Sequence, residues 1–374
     1  MSGEKESEKS IGAPHRLGAL DALRLIAAWV VFREHFYVIF EVHSEKGEYF
    51  GLLDAKGAVT LFFVLSGYVL SISLRRSLPS FRTYWNFGLR RVFRIYPLYW
   101  VALAMTFAVL VFAYQREGLG YLSDMPATFL DSPGLQVKQW LLQTTLVAPG
   151  MLSYFALPTV WTLMVEAKIA MIFPWLFWLM TRLNGWAATA LLAGFVLGSA
   201  WLHDHVIGTA SFLGQFALGI MLYRIPGDFW KKLNGFAWCV LLAISLFLYR
   251  AMSLRYFFAE METSLYLCAF GSTGFIAAAL HWPVLRSGLE RLQKMLRYDI
   301  SYGIYILHYP ILMALRWLWL DGFLPVSALW LFLISAALTI LLAYILHRFV
   351  EIPCIQLGRR LTQVGSPPLG SAAS

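Results

Sequence analysis

The chain has 374 residues, 59% of them hydrophobic, 16% aromatic and only 14% charged, with 15 Trp and a mean hydropathy of +0.63. This composition excludes an ordinary soluble domain and points to a polytopic membrane protein. The net charge of +9 does not signal nucleic acid, because the basic residues collect in short loops between apolar runs, as topology determinants do. Cys239, Cys268 and Cys354 are widely spaced, in or beside apolar segments. They lack metal-ligand spacing, so neither a disulfide nor a metal site is expected.

In chain order, Met1 to Arg16 is a short polar tail of mixed charge, and no small-residue cleavage site follows the first apolar run. A cleaved signal peptide is not expected. Apolar runs bounded by charge, Gly and Pro predict ten spans at about 18–40, 57–74, 95–114, 159–181, 186–202, 208–223, 235–251, 263–281, 299–320 and 326–349. The expected organisation is all-α: a tail (1–16), a transmembrane domain (17–353) and a C-terminal tail (354–374). From Thr362 onward that last tail is rich in Gly, Ser and Pro, and it is expected to be disordered.

Alternate loops hold most of the basic residues, one side carrying only Lys46, Lys56, Arg116, Lys138, Arg250 and Arg255. The other carries Arg75, Arg76, Arg82, Arg90, Arg91 and Arg94, then Arg182, then Arg224, Lys231 and Lys232, then Arg286, Arg291, Lys294 and Arg297, and finally Arg359 and Arg360. By the positive-inside rule this side is cytoplasmic, and an even span count puts both termini there. The longest non-membrane stretch, 115–158, falls on the other side and is expected to fold back over the membrane domain. No internal repeat is visible, which weighs against the duplicated plans common among secondary transporters.

Within the first span, Arg24 and His35 stand eleven residues apart. On a helix that is close to three turns, one face, and roughly 16 Å. Ionisable groups at such depth usually line cavities. Taken singly, Arg24 also fits an anchor that snorkels to the interface, and His35 a helix-packing hydrogen bonder. Ser66-Gly67 interrupts a bulky run in the second span: Gly67 suits close helix approach, and Ser66 can hydrogen-bond a ligand. Arg91 and Arg94 would project together from the mouth of the third span, as topology signals or phosphate ligands, with Ile95-Tyr96-Pro97 marking the helix start.

Trp161-Thr162-Leu163-Met164-Val165-Glu166 opens the fourth span, and from the outer side Glu166 would be able to meet His35 and set its tautomer. His308 and Pro310 lie in the ninth span, where the imidazole suits helix packing. His347 to Pro353 reads as an interfacial anchor. His203-Asp204-His205 has spacing that does not converge on a helix and is discounted as a metal site.

Together these pieces resemble the acyltransferase family 3 membrane proteins. The match rests on Arg24 with His35, Phe62-Phe63-Val64-Leu65-Ser66-Gly67-Tyr68, Arg91-Val92-Phe93-Arg94-Ile95-Tyr96-Pro97, Trp161 to Glu166, Ser301 to His308, and Phe349-Val350-Glu351-Ile352-Pro353, in family order. The resemblance implies O-acylation of sugars or other hydroxyl acceptors, with His35 catalytic and Glu166 assisting. Arg24, Arg91 and Arg94 would serve an acyl-CoA donor, and Asp21, Ser66, Tyr68, Trp161 and His308 would be pocket residues.

Acetyl-CoA, or another acyl-CoA, is then a co-substrate, with no permanently bound cofactor and no metal. The partners are a carbohydrate or glycolipid acceptor and the lipid bilayer, not nucleic acid, and the location is the cell inner membrane. Two departures, Ala167, Ile169 and Ala170 where relatives carry polar or bulky groups and aromatics, and the charged Arg33-Glu34, bear on acceptor specificity. An appended esterase-like domain, present in some relatives, is not expected. The rival reading is a transporter or flippase of acyl groups or lipid-linked sugars, with a sensor or scaffold as a third.

Overall fold

A computed structural model describes residues 18–42, 54–75, 79–117, 141–146, 157–198, 209–252 and 261–363, with backbone alone for 113–117, 252, 261–262 and 363. Among these residues the chain is helical and has no strand. In order, the helices are α1 (Gly18–Ile39), α2 (Ala55–Leu74), α3 (Phe81–Glu117), α4 (Val160–Arg182), α5 (Gly185–Leu197), α6 (Leu213–Arg224), α7 (Gly227–Lys231), α8 (Gly235–Tyr249), α9 (Met261–His281), α10 (Pro283–Leu296), α11 (Ser301–Leu320), α12 (Ala328–Leu346) and α13 (Ile352–Gln363).

Each predicted span overlaps a helix among the described residues, but the helices are unequal. Six stretches, within α2, α3, α4, α9 and α11 and from α12 into α13, are long and apolar enough to cross a bilayer. α1 is 22 residues long but carries Asp21, Arg24, Arg33 and Glu34. α5, α6 and α8, of 13, 12 and 15 residues, reach only about 18–23 Å at the helical rise, short of the roughly 30 Å hydrocarbon core.

Several helix starts follow from local chemistry. Asp54 accepts the Gly57 N–H at 3.0 Å, and Asn184 and Asn234 accept from Ala187 and Ala237 at 2.8 Å each. The Ser80 hydroxyl accepts the Thr83 N–H at 3.1 Å, so α3 begins at Phe81 and not near 95. Pro97 lies inside this helix and does not mark its start, which puts Arg91 and Arg94 several turns into it.

Side-chain pairs give the helix directions. α1, α3 and α11 run together: His35 meets His308, Phe40 meets Trp319, and Phe112 meets Trp317. α4 runs against them, with Thr162 beside Tyr305, Glu166 beside Arg91 and Phe173 beside Phe87. The start of α4 is level with the second turn of α11, since Tyr305 Oη donates to the Thr159 carbonyl at 3.3 Å. α4 therefore opens within the bundle, deeper than the sequence suggested.

Of the long 115–158 stretch, residues 141–146 pack against α3. Tyr96, Tyr99 and Trp100 donate to the carbonyls of Thr145, Gln143 and Thr144, so this part does fold back onto the membrane domain. Most of the remainder, the His203-Asp204-His205 cluster, the 1–16 tail and residues 364–374 lie outside the described residues. One expectation at the C-terminal end is corrected. The tail expected from 354 is helical as far as Gln363. Within the stretch read as an interfacial anchor, His347 and Glu351 are buried in a π-helical turn and joined at 2.7 Å, while Arg348 and Phe349 stay exposed; pairing is what lets the two polar groups be buried.

α2 and α6 meet through Gly67 and Gly219. A methyl group at Gly67 would run into the Phe216 backbone, and one at Gly219 into the backbone of Val64 and Tyr68. This approach holds the Ser66 face of α2 toward the centre. Gly67→Val or Gly219→Val is expected to destabilise the protein by about 1–3 kcal/mol, seen as a lower unfolding temperature in detergent. Unchanged melting of both variants would refute the close packing.

Candidate active site

Charged side chains gather on the basic side of α11. Arg24, one turn beyond Asp21, reaches it at 3.2 Å. Arg91 pairs with Glu166, and Arg94 lies 3.8 Å from Asp299. Asp299 stands just ahead of α11 and accepts from the Ser301 hydroxyl at 2.6 Å. The three arginines and Glu166 line a cavity of about 90 Å³ whose walls also include Ser66 and Tyr305. It has room for a few water molecules or a short acyl group.

Tyr302 and Tyr305 brace the cavity. Tyr302 donates to the Ile95 carbonyl at 2.7 Å, and Tyr305 and Thr162 share a hydrogen bond of 2.6 Å. Ser301, Tyr305 and His308 recur at positions i, i+4 and i+7, one face of a helix. That periodicity was a readable signal for Ser301 and Tyr305, neither of which was singled out as a candidate. Asp299 and Thr162 gave no comparable pattern.

His35 does not meet Glu166. Its Nδ1 lies 2.9 Å from His308 Nε2, and His308 Nδ1 lies 2.9 Å from the Ile304 carbonyl. Helix geometry explains the change of partner. From the Thr162–Tyr305 contact, Glu166 is four residues toward the basic end and His308 three residues away from it, a separation of about 10 Å along the axes. The carboxylate meets Arg91 instead.

The hydrogen bonds assign the protons of the two neutral rings. A carbonyl only accepts, so His308 carries its proton on Nδ1 and presents a lone pair at Nε2. His35 must donate to that lone pair from Nδ1, which leaves His35 Nε2 as a basic nitrogen. His308 is fully buried while His35 is partly exposed. The reachable imidazole is thus the one with the available base.

Other expectations are altered. Ala28 and Val31, which lie between Arg24 and His35 on α1, are buried. Phe62 and Tyr305, whose rings are 5.4 Å apart, line the cavity, and Tyr305 also packs against His308 at 6.3 Å. Trp161 packs against Phe63 and Phe212, and Tyr68 against Tyr223. Neither lines the cavity. Asp21 acts through Arg24, and Ser66 faces the cavity.

Residues 17–348 match the acyltransferase 3 family, described as an acyltransferase domain. The chain belongs to the acyltransferase 3 family. It is therefore a membrane acyltransferase. Acyltransferase MdmB from Streptomyces mycarofaciens is 25% identical, with 94% of this chain and 95% of that protein aligned. O-acetyltransferase OatA from Staphylococcus aureus (strain NCTC 8325 / PS 47) is 23% identical over 92% of this chain and 58% of its own length. Protein 2 in picA locus from Rhizobium radiobacter is 36% identical, but over only 27% of this chain and 49% of that protein. No solved structure matches.

If Arg91 and Glu166 act as one unit, their substitutions will not add. Arg91→Ala and Glu166→Ala are each expected to lower transfer by about tenfold or more, and the double variant to be little worse than the weaker single one. Multiplying losses in the double variant would count against the pair.

Proposed function

We propose that this acyltransferase moves an acyl group, acetyl by preference, from acyl-CoA at its basic end to a hydroxyl of a sugar or glycolipid acceptor. In this reading the basic end faces the cytoplasm, both termini lie on that side, and the protein resides in the cell inner membrane. The observation that carries the reading is the His35–His308 pair, which leaves a basic nitrogen just beyond a cationic cavity. The name of OatA, an O-acetyltransferase, supports a hydroxyl as acceptor.

The acyl end of the donor enters the cavity, where Arg91 and Arg94 are held by Glu166 and Asp299. Because Ala28 and Val31 are buried between Arg24 and His35, the Phe62–Tyr305 pair must part for the acyl tip to reach His35. His35 Nε2 takes the proton of the acceptor hydroxyl while that oxygen attacks the thioester carbonyl. The carbon–sulfur bond breaks, and the departing thiolate takes the proton back from Nε2. His308 holds His35 in the required tautomer throughout, the role the sequence reading gave to Glu166.

The test incubates purified protein with radiolabelled acetyl-CoA and crude glycan. Label in the glycan with release of free CoA is expected, and His35→Ala should lower it by about 10²–10⁴-fold while the protein still accumulates. Normal transfer by that variant would remove His35 from the chemistry. Movement of acetyl-CoA or glycan across vesicles without label transfer would favour a transporter.

A further inference from the structure

The Asp21–Arg24 ion pair separates two spaces of different size. Arg24 lines the inner cavity of about 90 Å³, whereas Asp21 lines an open cavity of about 530 Å³ between the start of α1 and helix α10. The larger one falls in the range of small-molecule sites. Its polar wall is Asp21 with Arg286, Glu290, Gln293, Lys294 and Arg297. α10 docks through its buried Leu289, which leaves this basic face toward the opening.

The charges there do not cancel. Asp21 is occupied by Arg24 and Glu290 by Arg286, at 3.2 and 2.8 Å. Lys294 and Arg297 have no ion-pair partner among the described residues, and both are exposed. Gln293, also in the wall, donates to the Tyr298 carbonyl at 3.2 Å, which orients its amide. Two uncompensated cations and an oriented amide suit a phosphorylated nucleoside: guanidinium and ammonium groups bind phosphate, and an amide oxygen can accept from a base amino group.

We propose that this vestibule is the docking site for the phosphorylated nucleoside end of the donor, with Lys294 and Arg297 as its phosphate ligands. The inference rests on acyl-CoA being the donor. It separates the phosphate site from Arg91 and Arg94, whose charges are taken up by Glu166 and Asp299. The bulky anionic head stays outside the Asp21–Arg24 pair, and the narrow thioester arm alone passes it. The size step between the two spaces fits a ligand with a large charged head and a small acyl tip.

Adenosine 3′,5′-bisphosphate, which has the head and no thioester, is the probe. Purified protein in phosphatidylcholine nanodiscs is expected to bind it. Lys294→Glu/Arg297→Glu should weaken binding by about tenfold or more, with Lys294→Gln/Arg297→Gln in between and unchanged melting for both. Equal binding by all forms would overturn the assignment, as would a lack of binding. A charge-dependent retention of phosphatidylglycerol in place of the nucleotide would assign the vestibule to lipid headgroups and likewise overturn it. His35→Ala protein should bind the probe like wild type. Probe binding without any acyl transfer would count against the donor reading and leave the vestibule assignment standing.

Discussion

A guanidinium group inside a membrane domain must be paired, and the pairing of Arg24, Arg91 and Arg94 with Asp21, Glu166 and Asp299 is the constraint on which the site depends. Removing one member of such a pair leaves an uncompensated buried charge, which is far worse than never having had the pair. Two of these contacts also join separate elements. Arg91 ties α3 to α4, and Arg94 ties α3 to the residue that leads into α11. The ion pairs thereby help set the register at which Tyr305 meets Thr162 and His308 meets His35.

That register gives each polar group one partner. With α4 starting level with Tyr305, Glu166 is committed to the basic side and the histidines to the other. Glu166 and His35 are thus kept apart, and a chain of hydrogen bonds from the Ile304 carbonyl through His308 orients the His35 ring. No buried anion is needed beside the imidazole. The hydrogen-bond chain polarises the ring without adding another charge to a low-dielectric region.

Much of the fold was legible in the sequence because apolar runs between basic loops are a strong physical signal. Each of the ten expected spans overlaps a helix among the described residues. Lengths were less legible: α5, α6 and α8 are short, and α3 runs straight through Pro97, since one proline in a long, well-packed helix need not end it. The Arg24–His35 register on α1 was visible from periodicity alone. Gly67 as a point of close approach was read correctly from residue size. The partner of Glu166 was not readable, because it depends on how deep α4 begins, and that is fixed by contacts with Tyr305 more than a hundred residues away. Asp299 was missed for the same reason: a lone carboxylate at a helix start shows its importance only when two arginines converge on it.

The central claim is that His308 makes His35 a base by accepting its Nδ1 proton. It is tested most directly by comparing kcat for acetyl transfer, across pH, in His308→Gln and His308→Leu proteins of matched stability. Glutamine retains an acceptor, so the account predicts that it keeps kcat within about tenfold of wild type, whereas leucine loses about 10²-fold or more with little change in donor KM. Equal rates and equal pH profiles in the two variants would contradict it.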